Sequence, residues 1–301
     1  MYPTLPDVIG WGPPIDTHSL FVSLAMLAAG LVFVVESRRR GQTDARVAAL
    51  VLGALAGAAI FSRLGTWMRH LDPSQNLDLV TQLTQGNASV LSALVGAWLG
   101  VHIAKRLVKY PLRTGDLFAP AVALAMAIGR FGCLFTELPG TPTGADWGIV
   151  LDEAAAARVG GPAGVPLHPS FVYEIVFQAV AFCLLWFWLR HKPIAAGETL
   201  TIYIAAYAIF RFFIEFVRGN EVAWMGLTRP QLFLAVTIPL LLARLAWKAW
   251  RGGFADRAAG DEAAAAPTAT AATALSAPTA VAVPTAAPES TERTTAHGSR
   301  T

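Results

Sequence analysis

Of the chain's 301 residues, 54% are hydrophobic and only 14% charged, and the mean hydropathy is +0.50, whereas an average water-soluble domain carries about 25% charged residues. A water-soluble globule is excluded on that ground, and nine Trp and sixteen Phe exclude disorder for most of the chain. The net charge of +3 does not indicate nucleic acid, because Lys and Arg stand in short groups between apolar runs, the pattern that sets membrane topology.

A helix crossing about 30 Å of hydrocarbon needs roughly 20 mainly apolar residues. Taken in chain order, seven runs meet this requirement: 17–35, 47–67, 90–108, 117–135, 171–189, 200–217 and 230–250. They are rich in Ala and Leu and do not alternate at period two, so helices are predicted rather than barrel strands. The first run is too long for the apolar core of a cleavable signal and has no basic residue before it, so it is read as a retained span. Arg38, Arg39, Arg40 and Arg46 follow the first span, and Lys105, Arg106, Lys109 and Arg113 follow the third. Arg190 and Lys192 follow the fifth, and Lys248, Arg251 and Arg257 the seventh. All fall on one side, which the positive-inside bias assigns to the cytoplasm, whereas the opposite segments hold chiefly Arg69, Arg158 and Arg229. The expectation is an all-α polytopic membrane protein with seven transmembrane helices, the N-terminus outside and the C-terminus cytoplasmic. A transmembrane domain then spans 1–253, with an outer loop at 136–170 that is rich in Gly and Pro and too short to be an independent domain. The Ala-, Thr- and Pro-rich segment 254–301 is predicted to be a disordered cytoplasmic tail. Cys133 and Cys183 stand far apart without CxxC or His spacing and read as packing residues, so no disulfide, metal site or cofactor is expected.

Depth then picks out the costly side chains. The second, fourth and sixth spans run from inside to outside and carry Arg63, Arg130 and Arg211 late, with Arg218 closing the sixth. Tyr207, Arg211, Glu215 and Arg218 are spaced four, four and three apart, which aligns them on one helix face. Glu137 follows the fourth span, and His168, Tyr173 and Glu174 enter at the start of the fifth. A lone Arg near a helix end ordinarily snorkels to the headgroups, but four on the side where basic residues are disfavoured predict an anion site in the outer leaflet. A planar guanidinium matches phosphate oxygens, and the phosphate at that depth is a phospholipid headgroup. His18 and His102 read as structural, Asn87, Ser89 and Ser92 as interhelical hydrogen-bonding residues, and the aromatic run at 186–188 as an interfacial belt. A transporter would call for paired inverted repeats of broken helices, and the sequence has none.

Three stretches, GRFGCLFTE at 129–137, HPSFVYE at 168–174 and YAIFRFFIEFVR at 207–218, resemble blocks of the prolipoprotein diacylglyceryl transferase family, in family order. The resemblance covers roughly the first 250 residues and implies seven spans with the N-terminus outside, in agreement with the charge pattern. It further implies transfer of a diacylglyceryl group from phosphatidylglycerol to the lipobox cysteine of prelipoprotein signal peptides. That reaction is placed at the outer face of the bacterial plasma (inner) membrane, among membrane lipids and with no nucleic acid. By motif, Arg130 and Arg211 match the family's essential arginines, Glu215 and Arg218 complete the same helix face, and Arg63 matches an arginine late in the second span. Tyr173, Glu174 and Tyr207 join the substrate-binding set, and His168, Glu137 or Glu174 is left to take the thiol proton. The chain departs from the family in two main places: Cys133 stands where the signature has Asn, and Leu91-Ser92-Ala93 where it has His-Gly-Gly. The aromatic residue expected just after the first span's histidine is also absent near His18. The alternative is a catalytically altered homologue that binds phospholipid or lipoprotein precursor without transfer. The charge asymmetry makes a direct prediction: reporter fusions at Gly41, Gly115 and Gly253 report cytoplasm, and a fusion at Gly161 reports the outer side. A cytoplasmic signal at Gly161 overturns the depth assignment.

Overall fold

The computed structural model of the chain describes residues 2, 4–67, 76, 78–85 and 88–254. In order, the helices are α1 (Leu5–Ile9), α2 (Thr17–Arg39), α3 (Arg46–Trp67), α4 (Leu79–Gln85), α5 (Val90–Leu107), α6 (Gly115–Thr136) and α7 (Glu153–Val159), followed by α8 (Ser170–Cys183), α9 (Glu198–Ile214) and α10 (Arg229–Trp250). A π turn at Leu184–Trp188 and a 3-10 turn at Leu189–His191 extend α8, and a 3-10 turn at Glu215–Val217 closes α9. Seven of these helices are long and apolar enough to cross a membrane, and they coincide with the seven predicted runs. Leu27, Leu31, Leu52, Val236 and Leu240 are all more than half exposed. Apolar flanks of that kind are stable only against lipid, so the chain is a multi-pass membrane protein. The predicted tail lies outside the described residues from 255 onward, as do Arg69 and Asn87.

Caps set the helix starts. Asp16 accepts a hydrogen bond from Ser19 N at 2.6 Å, and the Ser19 hydrogen bonds hold its carboxyl below the ordinary carboxylate value. Thr228 and Gln231 form a reciprocal capping box at the start of α10. Two short antiparallel pairs accompany the helices. One joins Ile149–Val150 (β1) to Pro166–Leu167 (β2), and the other joins Val222–Trp224 (β3) to Leu227–Thr228 (β4). The loop 136–170 is therefore more organised than its Gly and Pro content predicts. Leu151, Ala155, Ala156 and Leu167 bury a small core of their own between α7 and the β1–β2 pair.

Centrally placed, α6 packs on α2, α8 and α9, and α10 packs on α9. Phe21 stacks on Phe131 and Phe135 across the α2–α6 contact, and Phe33 meets Phe118 further along. The other close pair is α3 with α5. Gly53 and Gly57 face Gly100 and Gly96 so tightly that a Cβ on any of the four would collide with a backbone carbonyl oxygen opposite. Small residues at four-residue spacing on both helices produce this approach, which lets dispersion hold two helices together in lipid. Buried contacts between this pair and the α2–α6 pair gather at one end, among Val32, Phe33, Val47, Leu50, Ala104, Leu117 and Ala121.

That same end carries the predicted cytoplasmic basic groups, and here they are paired. Glu36, almost fully buried, binds Arg39 and Arg40, and Arg40 reaches Asp116 on α6 at 3.1 Å. Glu198, equally buried, takes Arg244 and Lys248 from α10 at 2.7 Å each and Arg113 at 3.5 Å. Residues that the sequence presents as topology signals thus also clamp α2, α6, α9 and α10 together.

Gly96→Val is expected to destabilise the purified protein by about 3 kcal/mol or more, since overpacking against backbone cannot be relieved by a rotamer change. Gly30→Ala is the control, because nothing lies within 4 Å of its added Cβ; it should be neutral or raise the midpoint slightly. Thermal unfolding in detergent measures both, and an unchanged midpoint for Gly96→Val contradicts the tight contact.

Candidate functional site

At the opposite end of the bundle, three helices converge on ionised side chains. Glycines permit the approach. A Cβ on Gly132 would touch the backbone of His18 at 3.2 Å, so α2 can lie directly on the last turns of α6. Gly140 sits where the chain after α6 passes between His168 and Val217, with Thr141 N donating to Val217 O at 2.9 Å and His168 N donating to Thr141 O at 2.8 Å. Ser170 Oγ donates to the Pro139 carbonyl, which fixes the first turn of α8. Ser170, Phe171 and Glu174, on one face of that turn, are essentially fully buried.

Glu174 is the centre of the cluster. Arg130 Nε lies 2.7 Å from its Oε2, and Arg218 Nη1 donates to its Oε1 at 2.8 Å. Arg218 also stacks over the Phe171 ring at 4.7 Å and reaches toward the half-exposed Glu137 at 4.0 Å. One turn before Glu215 on α9, Arg211 places Nη1 2.6 Å from Glu215 Oε2. Glu215 Oε1 is further held by Asn220 Nδ2 at 2.5 Å and Thr228 Oγ1 at 3.0 Å. Tyr207, a turn deeper, is fully buried and faces Arg130, Arg211 and Glu174.

Two features give this cluster chemical capacity. The guanidinium groups of Arg130, Arg211 and Arg218 stand against the carboxylates of Glu174 and Glu215, both fully buried, which leaves one positive charge uncompensated inside. Tyr207 Oη and Arg218 Nε are buried without a hydrogen bond of normal geometry, although Tyr207 adjoins the Arg130 guanidinium, whereas Arg211 Nη1 is taken by Glu215 Oε2. Buried donors without acceptors are costly and point to a missing anionic oxygen.

The structure thus brings Arg130, Glu174, Tyr207, Arg211, Glu215 and Arg218 together, with Glu137 at the rim. Arg63 lies on the later half of α3, the helix whose main partner is α5. There the Arg63 carbonyl accepts from Gln82 Nε2 at 2.7 Å. His168 is held in the loop: its Nδ1 is 3.3 Å from the hydroxyl of Tyr173, and its ring meets Trp147 edge-on. The turn with Leu91-Ser92-Ala93 offers no titratable side chain, and Ser92 packs where a Cβ on Gly65 would collide with its hydroxyl.

Some residues gain partners that the sequence does not show. Cys133 is buried, but its Sγ accepts from Arg130 Nη1 at 3.7 Å and lies with His18 and Glu137 in a group whose donor atoms are all within 4.8 Å of one another. Reading it as a packing residue missed this, because His18 is distant in sequence and is delivered only by the α2–α6 contact. The sequence reading also passed over Asn220 and Thr228, polar residues whose only signal was their place beside the Arg-Glu-Arg face.

The family model described as prolipoprotein diacylglyceryl transferase matches residues 6–250. Among similar proteins, the phosphatidylglycerol–prolipoprotein diacylglyceryl transferase 2 of Clostridium perfringens is 28% identical over 76% of this chain and 88% of its own length. The phosphatidylglycerol–prolipoprotein diacylglyceryl transferase of Pseudomonas aeruginosa strain UCBPP-PA14 is 29% identical over 83% of this chain and 94% of its own. That of Trichormus variabilis is 31% identical over 66% of this chain and 71% of its own.

Proposed function

The chain belongs to the prolipoprotein diacylglyceryl transferase family, and we propose that it transfers the diacylglyceryl group of phosphatidylglycerol to the lipobox cysteine of prelipoprotein signal peptides. The observation that carries this reading is the buried cluster with one excess positive charge and unspent donors on Tyr207 and Arg218. A phosphodiester brings one negative charge and oxygen acceptors, which complement that surplus. The acceptor thiolate attacks the glyceryl carbon next to the phosphate, a carbon–sulfur bond forms, and the carbon–oxygen bond breaks. The electron pair leaves on glycerol phosphate, whose charge grows from one toward two as the bond opens. Fixed guanidinium groups in a poorly hydrated site stabilise that growth more than they stabilise the bound lipid, which is what accelerates a reaction. Arg130 and Arg218, held apart by Glu174, and Arg211, held by Glu215, serve this role, and Tyr207 donates to the same oxygens.

The positive-inside bias supports placing this end of the bundle at the outer leaflet of the bacterial plasma (inner) membrane, with the clamp of Glu36, Asp116 and Glu198 on the cytoplasmic side. The segment 254–301 is dispensable on this reading, because its Ala-, Thr- and Pro-rich composition buries no core. The second reading, lipid or precursor binding without transfer, draws on the absence of a titratable group at Leu91-Ser92-Ala93. Arg130→Gln and Arg211→Gln separate function from folding. In the first Glu174 keeps Arg218, and in the second Glu215 keeps Asn220 and Thr228. Each should stay folded and lose at least about 10²- to 10³-fold in rate, the scale for removing one preorganised donor. Lys at either position should restore only part, because an ammonium keeps the charge but not the fork, and Arg38→Ala should change little. A mass assay of a lipobox peptide with phosphatidylglycerol and purified variants reads the rates. Undiminished rates in both glutamine variants overturn the anion-site reading, and an inactive wild type that still binds the phospholipid establishes the second one.

A further inference from the structure

Thioether formation needs a thiolate, and a free cysteine thiol near pKa 8.5 is mostly protonated at neutral pH. The cluster holds the leaving phosphate but contains no evident base: Glu174 is locked between two guanidinium groups, and His168 is engaged with Tyr173 and Trp147. Beside it stands a different kind of group. Cys133 and Glu137, one helical turn apart on α6, share a face, and His18 in the first turn of α2 closes against them. Their donor atoms, one sulfur, one ring nitrogen and one carboxylate oxygen, are all within 4.8 Å of one another.

We propose that His18, Cys133 and Glu137 form a three-ligand site for a zinc-class divalent cation whose open fourth position takes the acceptor thiol; the assignment of that thiol rests on the transferase reading. Mixed sulfur, imidazole and carboxylate donors are the set zinc prefers, and three protein ligands with one open position is the arrangement of its catalytic sites. In a tetrahedral site, ligand atoms stand about 3.5 Å apart given zinc–ligand distances of 2.0–2.3 Å. The group must therefore tighten by about an ångström, which rotation of the half-exposed Glu137 side chain can supply. The electrostatics allow it. One thiolate and one carboxylate neutralise a divalent cation, so the ion adds no net charge beside Arg130 and Arg218, which share Glu174.

The chemistry balances without a protein base. A thiol that coordinates such a cation does so as thiolate, and its proton is released to solvent on binding. The metal-held sulfur then forms its bond to the glyceryl carbon as the carbon–oxygen bond to phosphate breaks. The resulting neutral thioether is a weaker ligand and departs. Because Arg130 touches both Cys133 at 3.7 Å and Glu174 at 2.7 Å, the nucleophile and the leaving phosphate are brought to adjacent sides of one guanidinium.

The test uses the full-length protein in detergent and cobalt(II) as an optical probe. A thiolate-to-cobalt charge-transfer band in the near ultraviolet, with visible bands of a tetrahedral ion, is expected in the wild type and in Cys183→Ser, and is expected to vanish in Cys133→Ser. Glu137→Gln and His18→Ala should weaken cobalt binding by more than about 10-fold, since losing even an outer-shell partner costs 10- to 100-fold. Adding a lipobox peptide should strengthen the charge-transfer band through a second thiolate, whereas the same peptide with serine in place of cysteine should not. A missing band in the wild type, or one that survives Cys133→Ser, overturns the site. A band indifferent to the cysteine peptide overturns the role of the fourth position. Transfer to the peptide from phosphatidylglycerol, measured in parallel, reports separately on the transferase reading, because a peptide-responsive band without any transfer refutes that reading and leaves the metal site standing.

Discussion

A single carboxylate, Glu174, governs the arrangement of the site. It lies one turn into α8, is fully buried, and is shared by Arg130 of α6 and by Arg218 just beyond α9. Removing Glu174 itself would leave two buried guanidinium groups without their shared carboxylate, at a cost of about 3–5 kcal/mol, whereas losing either arginine leaves it the other. Three segments of chain are therefore held in register by one side chain, and the surrounding features serve that register. Gly140 lets the post-α6 segment pass, Ser170 anchors the first turn of α8, and Phe171 supplies the ring over which Arg218 stacks.

The two ends of the bundle use the same residue types to opposite effect. At the basic end, Glu198 meets Arg244, Lys248 and Arg113, and Glu36 meets Arg39 and Arg40, so each carboxylate is saturated by more than one cation. Those networks are closed, and they lock helix ends. At the other end the pairing is incomplete: Arg218 Nε and Tyr207 Oη make no hydrogen bond, and one positive charge is left over. Ion pairs alone do not mark a functional site. What distinguishes this end, among the described residues, is an excess of buried cationic donors over carboxylates, which on the proposed reading an incoming anion balances.

What was legible in the sequence follows from this division. The seven spans were legible because crossing hydrocarbon imposes a length and an apolar content that few other structures share. Arg130, Arg211, Glu215 and Arg218 were legible because charge within an apolar run is expensive, and helical spacing aligned three of them. Arg63 satisfied the same depth argument, but depth says nothing about which helices are neighbours, and the glycines of α3 pair its helix with α5. Glu36, Asp116 and Glu198 went unnoticed for the reverse reason. At the ends of spans an acidic residue looks like ordinary boundary polarity, and its burial arises only when two or three helix ends meet.

The Leu91-Ser92-Ala93 turn shows why such context matters for chemistry as well as for packing. Ser92 packs against Gly65, which makes that turn a structural contact in this chain, and Leu91 offers no titratable group. A thiol-activating group, on the metal-site proposal, comes from another place beside Arg130. The end of α6 carries both a soft donor, Cys133, and a carboxylate, Glu137, and the close approach at Gly132 brings His18 onto it. The same glycine that closes the α2–α6 contact thus decides which side chains border the anion site. The packing of small residues and the chemistry at the bundle's end are consequences of one geometric allowance.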